Sequence, residues 1–406
     1  MRKINPNKFQ RATRSTPREI NRKIVLNLVR EHQPVSRAEL ARLMDVTRGT
    51  VTTLVNELLE SGAIYEGAEA AAARGRRPTM LHVRTKDRLV VAIDVRFSRT
   101  HVLLCDLSGN QLAMETLPTV PDPAELTDQL AARVKTLLRT YGGVGECEGI
   151  GLVVPGMVDR RGGRILHSPA LGWKNVDLRE MLSRRAGLRV FIENAPIACA
   201  LAHMWLNSDG TSSVDNFAYV TVSDGVGAGI VVDGQVLRGH SDTAGEYGHL
   251  PLNLDGPRCL CGLRGCLEAY TSNLATLGRY LGLDPAVLPD REKLRGAGLN
   301  MTDLITRARA GDARALRALE ETARYLGIGL AGIITSLNPG RIYLDGEIVT
   351  AWDIIGKLVG DSARERTLTT AAAATPVVPI SPGSLARLRG ATALLVARQF
   401  AAPQVA

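Results

Sequence analysis

Apolar positions recur with helical spacing over the first sixty residues, and the pattern changes beyond position 88. Ile20, Ile24 and Leu28 repeat every four positions and predict a first helix that buries that face. A second helix is predicted to open at Ser36, where Glu39 three residues on completes a capping box, and to bury Leu40, Leu43 and Met44. After a short turn at Asp45-Val46, Thr47 is placed to cap a third helix. Val51, Leu54, Val55 and Leu58 have the spacing of its buried face, and Gly62 ends it. Strands at Ala63-Tyr65 and Met80-Val83 flank the run Arg74-Gly75-Arg76-Arg77-Pro78 and read as a β-hairpin with arginines near its tip.

From Leu89 onward strands and helices alternate. Leu89-Asp94 and His101-Asp106 form a predicted strand pair, followed by a helix near Pro123-Tyr141 and strands at Gly149-Val154 and Val190-Ile192. Ala218-Val222 and Gly229-Val232 resemble a second copy of the opening pair. The expected architecture is therefore two α/β lobes, each starting with a strand–turn–strand unit. The alanine runs Ala70-Ala73 and Ala371-Ala374 read as loop or helix filler.

Charge sharpens this division. Residues 1–88 hold 18 Lys and Arg against 9 Asp and Glu, whereas the remainder balances at 32 against 32, so the net charge of +9 lies wholly in the first fifth of the chain. A basic module on a neutral body points to a polyanionic partner. Two short helices joined by a tight turn make a helix-turn-helix, and the hairpin would be its wing. Arg48, Thr50, Thr52, Thr53 and Asn56 lie on the exposed face of the third helix, where they can reach base edges and phosphates of double-stranded DNA. Arg74, Arg76 and Arg77 would touch phosphates or a narrow minor groove.

The best apolar stretch, Tyr325 to Leu337, is too short and glycine-rich to span a membrane, and the N-terminus has no apolar core of a signal peptide. The chain is expected to be cytoplasmic, where its six cysteines are thiols or metal ligands. Cys259, Cys261 and Cys266, with glycines at 262 and 265 and His249 upstream, are a Cys₃His set suited to tetrahedral zinc. Four protein ligands leave no open position, so the zinc is expected to be structural. Cys105, Cys147 and Cys199 sit in or beside apolar patterns and read as core residues.

The run Ala244-Gly245-Glu246-x-Gly248-His249, the cysteine cluster and Glu268 two positions after Cys266 together resemble the signature of the ROK family of bacterial sugar kinases and sugar-responsive repressors. The resemblance runs from about Leu89 to the end and implies a two-lobed α/β domain of actin/hexokinase type. A winged helix-turn-helix in front is similar to the repressor branch, which includes xylose and N-acetylglucosamine regulators. Leu171-Gly172-Trp173 and Gly256-Pro257 look most like the xylose group. By this resemblance Glu246, His249 and Glu268 would bind sugar hydroxyls, with Asn194 as a further partner. His249 would place one ring nitrogen on zinc and the other toward the sugar.

The departures from the kinases bear on activity. Where they carry Glu-Asn-Asp, with the aspartate as base, this chain has Glu193-Asn194-Ala195; loss of a general base typically costs about 10²–10⁴ in rate. The first phosphate loop, Asp94 to Thr100, has no glycine, Asp224 stands in the second, and Asp345-Gly346-Glu347 replaces paired glycines. The expectation is thus a basic arm (1–17), a winged helix-turn-helix (18–88) and a ROK sensor (89–406) with its zinc site in 249–266. Together they would make a non-enzymatic repressor, a homodimer or homotetramer, that binds operator DNA and a monosaccharide effector. Two alternatives stand beside it: an active sugar kinase with a DNA-binding extension, and a regulator that has lost its ligand and answers to a protein partner.

Overall fold

The computed structural model describes residues 16–69, 78–206, 215–286 and 298–401. The N-terminal module is α1 (Thr16–His32), β1 (Val35–Ser36), α2 (Arg37–Met44), α3 (Arg48–Glu60), β2 (Ile64–Glu69) and β3 (Thr79–Val83). The Ser36 hydroxyl accepts from the Glu39 amide and the Glu39 carboxylate accepts from the Ser36 amide, which closes the predicted capping box. Thr47 caps α3 by accepting from the Thr50 amide, and Gly62, at φ 66°, follows the helix end. β3 is the middle strand of a three-stranded sheet between β1 and β2, so β2 and β3 are the two sides of the wing. Its arginines, Arg74, Arg76 and Arg77, and the run Ala70-Ala73, lie outside the described residues, as does the arm up to residue 15.

Val51, Leu54, Val55 and Leu58 are buried as predicted, but the first two helices differ from their patterns. In α1 the buried residues are Val25, Leu26 and Val29, while Ile24 is 41% exposed and Leu28 only partly covered. The cause is that α1 packs on two bodies at once, α3 on one side and the end of the large domain on the other, which turns its inward face by one position. In α2 it is Leu40 and Ala41 that are buried; Leu43 is 51% exposed and Met44 partly so. The small Ala41 lets this eight-residue helix approach α3 closely, and Leu43 then faces away.

The large domain contains the same sheet twice. In the first lobe β4 (Arg88–Val95), β5 (Arg99–Asp106) and β6 (Gln111–Pro118) form an antiparallel meander, extended by β7 (Glu146–Val154) and β11 (Val190–Asn194), both parallel to β4. In the second, β12 (Phe217–Val222), β13 (Val226–Val232) and β14 (Gln235–Val236) repeat the meander. There β15 (Arg341–Asp345) and β16 (Val377–Pro379) take the two parallel places. The orders, β6-β5-β4-β7-β11 and β14-β13-β12-β15-β16, match strand for strand. The suspected second copy is thus a duplication of the whole sheet. β8 (Met157–Asp159), β9 (Arg164–Ser168) and β10 (Trp173–Val176) make a small antiparallel sheet beside the first lobe.

Helices α4 (Pro123–Tyr141) and α5 (Leu178–Ala186) cover the first sheet. The second packs on α7 (Leu267–Thr271), α8 (Asn273–Leu281), α9 (Met301–Arg309), α10 (Ala313–Leu337) and α11 (Trp352–Arg364). The short α12 (Thr370–Ala373) takes most of the second alanine run. Between the lobes lie α6 (Ala195–Leu206), against β12 and β13, and the C-terminal helix α13 (Ala386–Phe400), against β4 and β7. Cys105 and Cys199 are buried and Cys147 is half-buried, in keeping with core thiols. Among the described residues no helix is long and apolar enough to cross a membrane.

α13 lies so close to β7 that a Cβ on Gly151 would fall 1.9 Å from the Ala391 carbonyl oxygen. Gly151→Ala should therefore push the C-terminal helix off the sheet and cost at least the roughly 1–3 kcal/mol typical of overpacking. A denaturant midpoint equal to wild type would show that the contact is not a constraint.

Candidate functional site

A cleft opens between the lobes where the strand ends of both sheets converge. β11 ends at Asn194, and α6 begins at Ala195; the Asn194 side-chain oxygen accepts from the Ile197 amide at 3.1 Å and so caps the helix. Across the cleft, the β12–β13 turn brings Ser223, Asp224 and Gly225, and the segment after β14 brings Glu246 and His249. Glu268, in the first turn of α7, completes this wall. Asn194, Glu246, His249 and Glu268, separated by up to 74 positions in sequence, all line one cavity. Ala195 and Pro196 form part of its floor, with no carboxylate at position 195.

Glu268 joins three features. One carboxylate oxygen accepts from the Val226 amide at 2.9 Å, which fixes the β12–β13 turn; the other accepts from the Cys259 thiol at 3.4 Å. Burial, moderated by His249 and reinforced by Glu268, raises the Glu246 carboxyl above its ordinary range. Its Oε2 stands 3.9 Å from His249 Nε2. The opposite ring nitrogen, Nδ1, lies 3.7 Å from Cys259 Sγ, and Cys261 and Cys266 Sγ are 3.8 Å apart. All four donor atoms lie within 4.8 Å of one another. A tetrahedron with Zn–S bonds of about 2.3 Å has edges of about 3.8 Å, so two edges already fit and the longest needs to close by about 1 Å. Burial pushes the Cys259 and Cys266 thiols up, as expected for a cluster whose thiolates need a cation. The donor set fits a divalent metal of the zinc class.

The turn between β4 and β5 holds an ion-pair cluster. Asp94, fully buried at the end of β4, accepts from Arg96 Nε and from Arg387 Nε, each at 2.7 Å. Arg387, in the first turn of α13, also donates to the Val95 carbonyl at 3.1 Å. Both arginines line the cleft, with Glu347 nearby. Glu193 points elsewhere: it is 2% exposed and pairs with Arg238 at 2.6 Å. The roles of Arg238 and Arg387 were not legible in the sequence. Each meets its carboxylate from a remote segment, 293 positions away for Arg387, and no motif marks either.

At the other end of the molecule Arg48, Thr50, Thr52, Thr53 and Asn56 are all exposed on α3. Thr52 and Thr53 donate their hydroxyls to the carbonyls of Arg48 and Gly49. Arg48 has no ion pair among the described residues.

The family model of the ROK family matches residues 90–398, about three quarters of the chain. The chain belongs to the ROK family. Ahead of the ROK domain, residues 18–75 match the MarR family. A putative xylose repressor of Caldicellulosiruptor sp. (strain Rt8B.4) is 31% identical over 80% of this chain and 83% of its own length. The xylose repressor of Bacillus subtilis (strain 168) is 28% identical over 93% and 95%, and the DNA-binding transcriptional dual regulator NagC of Escherichia coli (strain K12) 30% over 82% of each. A ROK family transcriptional regulator described as a homolog of E. coli MLC superposes with a TM-score of 0.78 at 26% identity, covering 94% of this chain and 96% of that one. A ROK family glucokinase from Streptomyces griseus, in complex with glucose and AMPPNP, gives 0.65 at 25%, covering 77% and 99%. The kinase thus spans the sensor alone, and the regulator spans both modules.

Removing the buried carboxylate should leave two arginines facing each other at the lobe junction. Asp94→Asn is expected to lower stability by roughly 3 kcal/mol, at the low end for a broken buried pair because Arg96 is partly solvated. An unchanged unfolding curve would mean that solvent already screens the cluster.

Proposed function

We propose that this chain is a sugar-responsive transcriptional repressor of sugar-utilisation genes, with xylose utilisation the first to test. The observation that carries it is the pairing, in one chain, of an exposed recognition helix with a sugar-kinase cleft whose floor has alanine where a base is needed. α3 would enter the major groove with Arg48 and Asn56 reading base edges, while the threonine methyls meet thymine methyls. Arg74, Arg76 and Arg77 on the wing would hold phosphates or the minor groove. As a homodimer or homotetramer the protein would match a palindromic operator through its own two-fold axis.

In the cleft, Asn194, Glu246, His249 and Glu268 would share the hydroxyls of a monosaccharide. Ligands of this kind offer both donors and acceptors, and the four side chains supply both. His249, Cys259, Cys261 and Cys266 would hold a structural zinc, which when bound supplies the positive charge that keeps the thiolates ionised. The imidazole would then reach the metal through Nδ1 and the sugar side through Nε2, a link between metal order and ligand geometry. Ala195 cannot take a proton from a sugar hydroxyl, and Asp94 already occupies Arg96 and Arg387, so phosphoryl transfer has neither base nor free cationic cradle. Transfer of phosphate from ATP to xylose, glucose or N-acetylglucosamine by the purified protein would overturn the non-enzymatic reading.

Titration of the purified protein with D-xylose, D-glucose and N-acetylglucosamine should give heat with at least one, and Glu246→Gln should weaken it roughly tenfold or more, as expected for a lost hydrogen bond to a charged group. An operator fragment from the upstream region should bind, with a sugar-dependent change of affinity; Arg48→Ala should weaken that binding without affecting the heat. Silence with every sugar would favour a regulator answering to a protein partner. Metal analysis should find one zinc per chain. Cys266→Ser should lose it and melt at lower temperature, and equal melting of zinc-loaded and chelator-treated protein would argue against a structural role.

A further inference from the structure

We infer that the cleft and the DNA reader are coupled through α6 and the C-terminal helix α13, and that Arg30 of α1 is the residue on which both helices act. This rests on the sugar-sensing reading above. Both helices begin in the cleft. α6 starts with Ala195 and Pro196 in the floor, and α13 carries Arg387 in its first turn, held to Asp94 and Val95. Both end beneath α1. Arg30 donates to the Trp205 carbonyl in the last turn of α6, and its guanidinium lies 5.4 Å from the Trp205 ring and 4.8 Å from the Phe400 ring. Asn27 donates to the Phe400 carbonyl at 2.8 Å, and Lys23 to the Gln399 carbonyl.

The chemistry of this seat is unusual for a half-buried cation. Among the described residues Arg30 forms no salt bridge; burial lowers its pKa, and the charge of Glu31 beside it raises it in part. Around it lie the carbonyl-rich C-terminal ends of two helices, the negative end of each dipole, and two aromatic faces. Such an interaction is directional and short-ranged, so it depends on both helix ends being in register.

The two helices rest on different lobes, α6 on β12 and β13, α13 on β4 and β7. Gly390 lies against Ala198, where an added Cβ would come within 2.6 Å of its carbonyl carbon, so the pair touches backbone to backbone near the cleft. That contact is a pivot. The ends under α1 lie seven to ten residues further along, about 10–15 Å at 1.5 Å per residue. A change of lobe angle of about 5° at the pivot therefore displaces one end against the other by about 1 Å. A shift of that size changes the balance of Arg30's contacts with the Trp205 carbonyl and the two rings. α1 in turn moves with the recognition helix: Val25 and Val29 share a core with Val51, Leu54 and Val55, and Arg18 pairs with Glu57.

The test uses the full-length protein, an operator fragment and D-xylose, D-glucose and N-acetylglucosamine, with Arg30→Met and Phe400→Leu beside wild type. Calorimetry reads sugar binding, anisotropy reads the operator, and hydrogen exchange reads α1 with and without sugar. In wild type, sugar should change operator affinity by about tenfold, within the usual range of coupling, and alter exchange in α1. In both variants sugar affinity should stay within about twofold of wild type while the operator response shrinks below about twofold, the α1 exchange no longer responding. Variants that respond like wild type in both readouts overturn the route while leaving sugar sensing intact. Wild type that binds no sugar overturns the sensing reading, and the coupling falls with it. Should one variant lose its cooperative melt, the other variant and the wild-type exchange data decide.

Discussion

The junction of the two lobes is arranged around one close contact, the seating of the C-terminal helix. Gly151 of β7 admits the Ala391 carbonyl and Gly390 admits Ala198, so backbone meets backbone on two sides of the same helix. Side chains at these points would push the helix outward, and with it Arg387, whose grip on Asp94 closes the turn between β4 and β5. The residues that form the cleft thus depend on a helix that is last in sequence and central in space. Dense packing of this kind is stiff and tends to hold discrete arrangements.

The cleft is shaped by charge. Position 195 is alanine, and the turn after β4 is filled by Arg96 and Arg387 around a buried aspartate. Asp224 and Glu347 add acidic side chains to the same cleft. The wall of Asn194, Glu246, His249 and Glu268 presents carboxylates, an amide and an imidazole, groups that can both donate to and accept from hydroxyls. Glu268 ties this wall to the cysteine cluster on one side and to the β12–β13 turn on the other, so cysteine cluster, cleft wall and second lobe form one hydrogen-bonded unit.

Much of this was legible in the residues. Amphipathic spacing located α3 and its buried face, and the Ser36–Glu39 box located the start of α2, because caps and periodicity are local properties of the backbone. The clustering of Cys259, Cys261 and Cys266 with His249 was readable because groups able to hold a metal must be particular residue types at short spacing. Net charge confined to residues 1–88 separated the DNA reader from the sensor for a similar reason: it is a sum, and no fold is needed to take it.

Tertiary structure decided the rest. The inward face of α1 is Val25, Leu26 and Val29, one position from the predicted stripe, because a helix wedged between two bodies is buried by both. The pairings of Asp94 with Arg387 and of Glu193 with Arg238 follow from lobe packing, and residues 293 positions apart carry no mutual signature. No sequence pattern marks Arg30, and only the arrival of Trp205 and Phe400 gives it a seat. Local spacing and residue identity thus determined the elements and the chemistry available to them. Which elements meet, and which charges are buried together, was settled by packing, because burial belongs to contacts between distant segments.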